Sequence, residues 1–249
     1  MNDVATQREK FGRRMRHSWP LATFLGRLES GALEDLLGQG TPVEYPTHRR
    51  LLQQGDQGRH VLLLTHGVVK VVATSESGYE MLLAVRVAGD FVGEMAAFED
   101  RPRSGTVIAC SDVRVRVIQT PVLVNFLTRH PDAMKAMLAV LCGRLRWANR
   151  RRVDFGAYDS RTRLARVIAE LSQAYGQRSA DDTVNRQILG VTLNQFELAS
   201  IAGLARPTAE KALASLSQMG LVERSYRRIT VCDVPKLLAF AKVFDENPY

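Results

Sequence analysis

Between residues 43 and 118 no apolar run lasts more than a few residues before a glycine or a polar turn cuts it, and this rhythm limits what the chain can fold into. Runs at 61–64, 68–72, 81–85 and 113–117 contain many β-branched residues. The breaks fall at Gly55-Asp56, Gly58, Gly67, Gly78, Gly89-Asp90 and Gly93. The run Val113-Arg114-Val115-Arg116-Val117 alternates at period two, as a half-buried strand does. Short strands spaced this regularly predict a compact β-barrel or roll. Upstream, Leu21, Phe24, Leu25, Leu28, Leu33, Leu36 and Leu37 fit one or two short helices.

The texture then turns helical. Pro131 suits a helix N-terminus, and Met134, Leu138, Leu141, Leu145 and Ala148 follow 4-3-4-3 spacing, a heptad seam that weakens at Arg152. This predicts one long helix to Phe155, acting as a dimer seam or lying on the roll. Gly156 to Asp159 reads as a hinge, and Ser160 as the N-cap of a helix ending near Tyr175. Residues 176–185 are polar and read as a loop. Asn194 with Glu197 three residues on makes a capping box. Gly203 suits a tight interhelical turn, a second helix starts near Arg206, and Gly220 suits its C′ position. Residues 221–223 and 229–231 can pair across an arginine-rich wing from Arg224 to Arg228. Together these segments predict a winged helix-turn-helix, with Arg206, Thr208, Lys211 and Ser215 on the exposed side of its second helix. Arg227 and Arg228 would contact DNA phosphates.

A formal net charge of +8 points to an anionic partner, nucleic acid before a membrane surface. No apolar run reaches the ~18 residues of a membrane span, and the basic stretch from Met1 to Trp19 lacks an apolar signal core, so a cytoplasmic protein with a flexible basic tail at 1–20 is expected. The three cysteines, Cys110, Cys142 and Cys232, lie far apart and make neither a disulfide framework nor a local zinc site. With no nucleophile–base pair, metal cluster or Walker loop, an enzyme is not expected. A module that bound nucleotide but not DNA would leave the basic wing and Arg206/Lys211 without a purpose.

The most informative stretch is Phe91-Val92-Gly93-Glu94-Met95-Ala96 followed by Arg101-Pro102-Arg103-Ser104-Gly105-Thr106. It offers a carboxylate for ribose hydroxyls, and a guanidinium and a hydroxyl beside backbone amides for a phosphate. The bland alternative is a strand-end loop with a surface ion pair.

With this cassette between a β-roll and a long helix followed by a winged helix-turn-helix, the sequence resembles the cyclic-AMP receptor protein/FNR (CRP/FNR) family of bacterial transcription regulators from about Leu21 to Val231. The resemblance implies an α+β architecture: a cyclic-nucleotide-binding β-roll at 21–130, a dimerisation helix at 131–155 and a winged helix-turn-helix DNA-binding domain at 156–249. It implies that Glu94 binds the ribose 2′-hydroxyl and Arg103 the cyclic phosphate, with Gly93, Met95 and Ser104 completing the cradle. The allosteric ligand implied is cyclic AMP, and the partners implied are a second copy, a pseudo-palindromic DNA operator and RNA polymerase.

Departures from the family pattern keep alternatives open. Where cyclic-AMP-binding members place two adenine-contacting residues on the long helix, usually beginning with threonine, this chain has Ala148 and Asn149. Asn149 can hydrogen-bond and Ala148 cannot, so a constitutive regulator or one answering another nucleotide is the alternative. Gly105 stands where alanine is common. Pro207 replaces the usual glutamate between Arg206 and Lys211 and cannot accept a hydrogen bond from cytosine, which implies a different operator base pair. No cysteine precedes Cys110, unlike the FNR-like iron–sulfur sensors.

Overall fold

The structure, a computed structural model, describes residues 19–178, 185–191, 193–225 and 228–243, and the chain divides into two compact units between Cys142 and Gly143. The tail expected at 1–20 lies outside the described residues as far as residue 18, and its end departs from the expectation, since Trp19 is buried in the core with Phe24 and Leu36.

The first unit opens with two short helices, α1 (Phe24–Arg27) and α2 (Ser30–Gly38). Six strands follow: β1 (Thr41–Tyr45), β2 (Arg50–Leu52), β3 (His60–His66), β4 (Val68–Thr74), β5 (Glu80–Val87) and β6 (Phe91–Val92). After α3 (Glu94–Glu99) come β7 (Thr106–Ala109) and β8 (Val113–Gln119). The strands form two antiparallel sheets, β1-β8-β3-β6 and β2-β7-β4-β5. Successive side chains of a strand point to opposite faces. Leu62 and Leu64 of β3 therefore join Leu52, Val69, Val107 and Val115 in one core. Val61 and Leu63 join Phe24, Leu36, Phe126 and Met137 in another. A strand covered on both faces loses its alternation, and residues 61–64 accordingly read as one apolar run. β8, whose Arg114 stays exposed between buried Val113 and Val115, keeps its alternation.

Helix α4 (Thr120–Arg129) follows β8 directly and buries Leu123, Phe126 and Leu127. Its end is tied to α2 through Asp35, which meets Arg129 at 2.9 Å and His130 at 2.8 Å. Burial alone would raise the Asp35 carboxyl, but hydrogen bonds from His130 and Gln39 and the Arg129 charge outweigh it and hold the pKa below its ordinary value.

Helix α5 (Pro131–Ala157) is the expected long helix, two residues longer than its pattern indicates. Ala133, Ala136, Met137 and Val140 share one face and belong to the first unit's helical core. Met134, Leu138 and Leu145 are exposed, the last two at 57% and 62%. Leu141 departs from the expected seam: it is half-buried and packs on that same core.

In the second unit the helix break is confined to Tyr158 and Asp159, because Gly156 and Ala157 still belong to α5. The N-cap of α6 (Ser160–Tyr175) is Asp159 rather than Ser160: the Asp159 carboxylate accepts from the Thr162 amide at 2.8 Å, one residue earlier than the pattern suggests. Part of the expected loop is strand β9 (Gly176–Arg178), and residues 179–184 lie outside the described residues. A sheet ordered β11-β12-β10-β9 combines it with β10 (Gln187–Leu189), β11 (Val222–Ser225) and β12 (Arg228–Val231). Helices α7 (Gln195–Ile201), α8 (Arg206–Gln218) and α9 (Val234–Phe240) complete the unit.

The last turns of α5 are fastened to α6 by buried charges. Arg151 meets both Asp154 and Glu170 at 2.7 Å, and Arg166 meets Asp154 at 2.9 Å. Arg166 also donates to the carbonyls of Ala241 (2.9 Å) and Lys242 (3.1 Å) at the end of α9. Burial pushes the Glu170 carboxyl above its ordinary pKa, against the pull of Arg151 and Arg150.

The hydrogen bond from the Thr162 backbone is the first cause that holds the Asp159 carboxyl below its ordinary pKa. A carboxylate with a depressed folded pKa stabilises above its unfolded value, near pH 4, and loses that contribution as pH falls through the folded value. Asp159→Ala should cost about 1 kcal/mol in urea unfolding at neutral pH, the usual worth of an N-cap, with the difference shrinking below about pH 4. An equal cost at pH 3 and pH 7 would show that the charge contributes nothing.

Candidate functional site: a nucleotide cradle and a helix-turn-helix

In the first unit the cassette folds around a turn. Gly93, at φ 88°, links β6 to α3 in the left-handed region that glycine enters without a Cβ penalty. Glu94 opens the helix and is 8% exposed. Arg103 is 4% exposed, and its guanidinium donates to the Gly93 carbonyl from Nη1 (2.6 Å) and to the His60 carbonyl from Nη2 (2.9 Å). Burial lowers the Arg103 pKa, while the Glu94 and Asp56 carboxylates push it back up. Burial first, then the Arg103 charge, lowers the His60 pKa. The Arg103 main chain is held as well: its amide donates to Asp56 O and its carbonyl accepts from Gly55 N, both at 2.9 Å.

Ser104 and Met95 are exposed beside this group, with Ser104 Oγ 3.6 Å from Met95 Sδ. Gly105 runs close to β4: a Cβ there would lie 3.0 Å from the Val72 carbonyl, leaving little room for an alanine. The structure thus brings Gly93, Glu94, Met95, Arg103 and Ser104 together. Asn149 and Ala148 lie exposed on α5 in the other unit. Asp56, Gly58 and His60 also surround Arg103, although their stretch reads in sequence only as turn punctuation.

In the second unit the capping box forms as expected, Asn194 Oδ1 accepting from Glu197 N at 2.9 Å and Glu197 Oε2 accepting from Asn194 N at 2.8 Å. Gly203, at φ 62°, makes the interhelical turn, and a Cβ on it would strike the Phe155 ring. Helix α8 ends with Gly220 N donating to Ser217 O and Leu221 N to Leu216 O, the paired bonds of a Schellman motif.

Ala209, Ala212, Leu213 and Leu216 of α8 face inward. Its outermost row is Pro207, Lys211, Ala214 and Gln218, with Arg206 and Thr208 exposed on either flank and Ser215 half-buried. Arg206 Nε meets Glu210 Oε1 at 2.9 Å. With its amide oriented by these neighbours, Gln195 donates to Glu210 at 3.0 Å and accepts from Arg224 of β11 at 2.9 Å. Arg228 is exposed on β12, and Arg227 lies outside the described residues. An open groove of about 670 Å³ between α7, α8 and the wing is lined by Gln195, Phe196, Arg206, Arg224 and Arg228, among others. Gln195, Glu210 and Arg224 thus join Arg206 on this face. Of these, Arg224 was marked by its place in the wing, whereas Gln195 and Glu210 read as ordinary helix residues.

Among the described residues no three His, Cys, Asp or Glu side chains are grouped to hold a metal ion, and no helix is long and apolar enough to cross a membrane.

Comparison with known proteins matches these two units separately. Residues 42–130 match the cyclic nucleotide-binding domain family, and residues 162–240 match the Crp-like helix-turn-helix domain family. A CRP-like cAMP-activated global transcriptional regulator of Mycobacterium tuberculosis is 27% identical over 217 residues, 86% of this chain and 94% of the relative. The cAMP-activated global transcriptional regulator CRP of Escherichia coli is 24% identical over 189 residues, 76% of this chain and 88% of the relative. Among solved structures, a CooA mutant from Carboxydothermus hydrogenoformans superposes with a TM-score of 0.67 at 22% identity, covering 83% of this chain and 90% of that one. The c-di-GMP responsive global regulator CLP of Xanthomonas campestris gives 0.65 at 22% identity, covering 82% and 99%. With both domains matched in this order, the chain belongs to the CRP/FNR family and is a DNA-binding transcription regulator that carries a cyclic nucleotide-binding domain.

Proposed function

We propose that the chain is a homodimer whose binding to a pseudo-palindromic operator is controlled allosterically by cyclic AMP held in each β-roll. The observation that carries this reading is the buried Arg103 guanidinium, held on the Gly93 and His60 carbonyls beside buried Glu94, within a domain matched to cyclic nucleotide binding. Arg103 would take the cyclic phosphate, Glu94 the ribose 2′-hydroxyl, and Gly93, Met95 and Ser104 would border the ligand, with Asn149 meeting the base. Curated relatives named as cAMP-activated support the choice of nucleotide. The second reading, a different nucleotide or constitutive activity, is favoured by Ala148, whose methyl cannot hydrogen-bond a base.

In functional terms we divide the chain into sensor (21–130), dimer helix (131–155) and DNA-binding domain (156–249). Such a regulator acts in the cytoplasm, where its DNA and RNA polymerase are. Calorimetric titration with cyclic AMP, cyclic GMP and cyclic di-GMP tests the ligand. Arg103→Ala should weaken cyclic AMP by at least ~1.5–3 kcal/mol, the scale of charge-assisted hydrogen bonds, and Glu94→Gln by less. Ala148→Thr should tighten it. Unchanged affinity in Arg103→Ala refutes the cradle.

For the dimer, the exposed Leu138 and Leu145 are the seam positions to probe, since Leu141 already packs on its own roll. Leu138→Glu with Leu145→Glu should give monomers in analytical ultracentrifugation, because like charges would be forced together. A surviving dimer would move the interface elsewhere.

For DNA, half-site centres should lie about one turn, ~34–36 Å, apart. Affinity should fall steeply with salt, by a slope near −0.9 per neutralised phosphate. Arg206 and Lys211, with Thr208 and Ser215 beside them, are the proposed base readers, and Arg227 and Arg228 the phosphate contacts. Arg206→Ala or Lys211→Ala should cost ~1–3 kcal/mol on a selected operator and less on random DNA, whereas Arg228→Ala should weaken both alike. If Arg206→Ala lowers both equally, Arg206 holds a phosphate instead.

A further inference from the structure

Gly58 sits half-buried in the turn between β2 and β3. A Cβ built on it would meet one group before any other: Arg103 Nη2 in overlap, Nε at 2.7 Å and Cζ at 2.8 Å. Those are three atoms of a single planar guanidinium. The same guanidinium comes within 2.6 Å of a Cβ position on Gly93, so it abuts two glycine backbones at once. Gly93 needs glycine for its positive φ in any case, whereas the φ of Gly58 lies outside that region. Alanine at 58 therefore meets no positive-φ penalty. What it meets is a side chain that is 4% exposed and pinned by carbonyls on two sides, which cannot step aside freely.

We infer that Gly58 is a positioning residue for nucleotide binding: its missing side chain leaves the seat in which the Gly93 and His60 carbonyls hold the Arg103 guanidinium ready for a cyclic phosphate. The inference rests on the reading that Arg103 binds that phosphate. An arginine has five N–H donors. The two carbonyls take one each from Nη1 and Nη2, which leaves three not committed to these carbonyls. A guanidinium already ordered in this way spares the ligand the entropy of ordering a long, flexible side chain. A methyl at 58 lifts the group off its seat and breaks the two carbonyl bonds. The backbone that carries the rest of the cradle is untouched.

A double-mutant cycle with cyclic AMP as the probe tests this, read by calorimetry on the full chain. Gly58→Ala should weaken binding at least about tenfold, the low end for losing a charge-assisted hydrogen bond. Arg103→Ala should weaken it further, and adding Gly58→Ala to that variant should change nothing more. A second readout needs no ligand. The Arg103 Nε–H signal in ¹⁵N NMR, assigned by its loss in Arg103→Ala, should exchange slowly with solvent in the natural chain and rapidly in Gly58→Ala. Without nucleotide the variant should stay folded, its thermal midpoint falling no further than that of Arg103→Ala. Additive losses in the double variant, an unmoved Nε–H signal, tighter binding by Gly58→Ala or unfolding of that variant would each overturn the role. If the natural chain does not bind cyclic AMP, or Arg103→Ala binds it equally well, the cradle reading itself fails and the role falls with it, and the affinities of those two proteins identify that case.

Discussion

Charge withdrawn from water must be answered by opposite charge or by hydrogen bonds, and both units of this chain are organised around arginines for which that holds. In the first unit Arg103 is answered by two carbonyls and two nearby carboxylates. In the second, Arg151 and Arg166 are answered by Asp154 and Glu170, and Arg166 also by the carbonyl end of α9. Removing any one partner strands the rest, and a stranded buried charge typically costs about 3–5 kcal/mol. The consequence for Arg103 is that β2–β3, β6 and the strand-end loop after α3 must keep their mutual places. For Arg166 it is that the end of α5, the start of α6 and the end of α9 behave as one piece.

The helix-turn-helix face follows a different logic. Arg206, Glu210, Gln195 and Arg224 are linked in line across α8, α7 and the wing, with both arginines exposed and Gln195 and Glu210 half-buried, and an ion pair this near the surface contributes only about 0–1 kcal/mol. Such contacts orient side chains without holding the fold. Stability of this unit comes from Leu198, Leu213, Leu216, Val222 and Val231 beneath.

Much of this was legible because the local chemistry agrees with the final structure. The capping box at Asn194, the turn at Gly203, the Schellman end at Gly220 and the alternation of β8 each depend on residues within a few positions of one another. Departures occur where neighbours distant in sequence decide. Leu141 fits a heptad seam by spacing, yet the roll's core claims it. Helix α4 carries one local mark, Pro121 in its first turn, but no break separates it from β8, and Leu123, Phe126 and Leu127 gain their purpose from a core shared with α1, α2, α5 and the strands. One departure is local: Ser160 and Asp159 are both good caps, and Asp159 is the one whose carboxylate accepts from the Thr162 amide three residues on.

By itself the sequence determined the order of the two domains, their types and the candidate anion-binding residues, because periodicity, caps and a contiguous cassette are local properties. Tertiary structure alone decided that Gly58 and His60, more than forty positions before Arg103, form its surroundings, and that Gln195 of α7 lies between Glu210 and Arg224. The physical reason is that a glycine's meaning depends on what lies against it. The close approach of a guanidinium leaves no trace in the spacing of the residues that permit it.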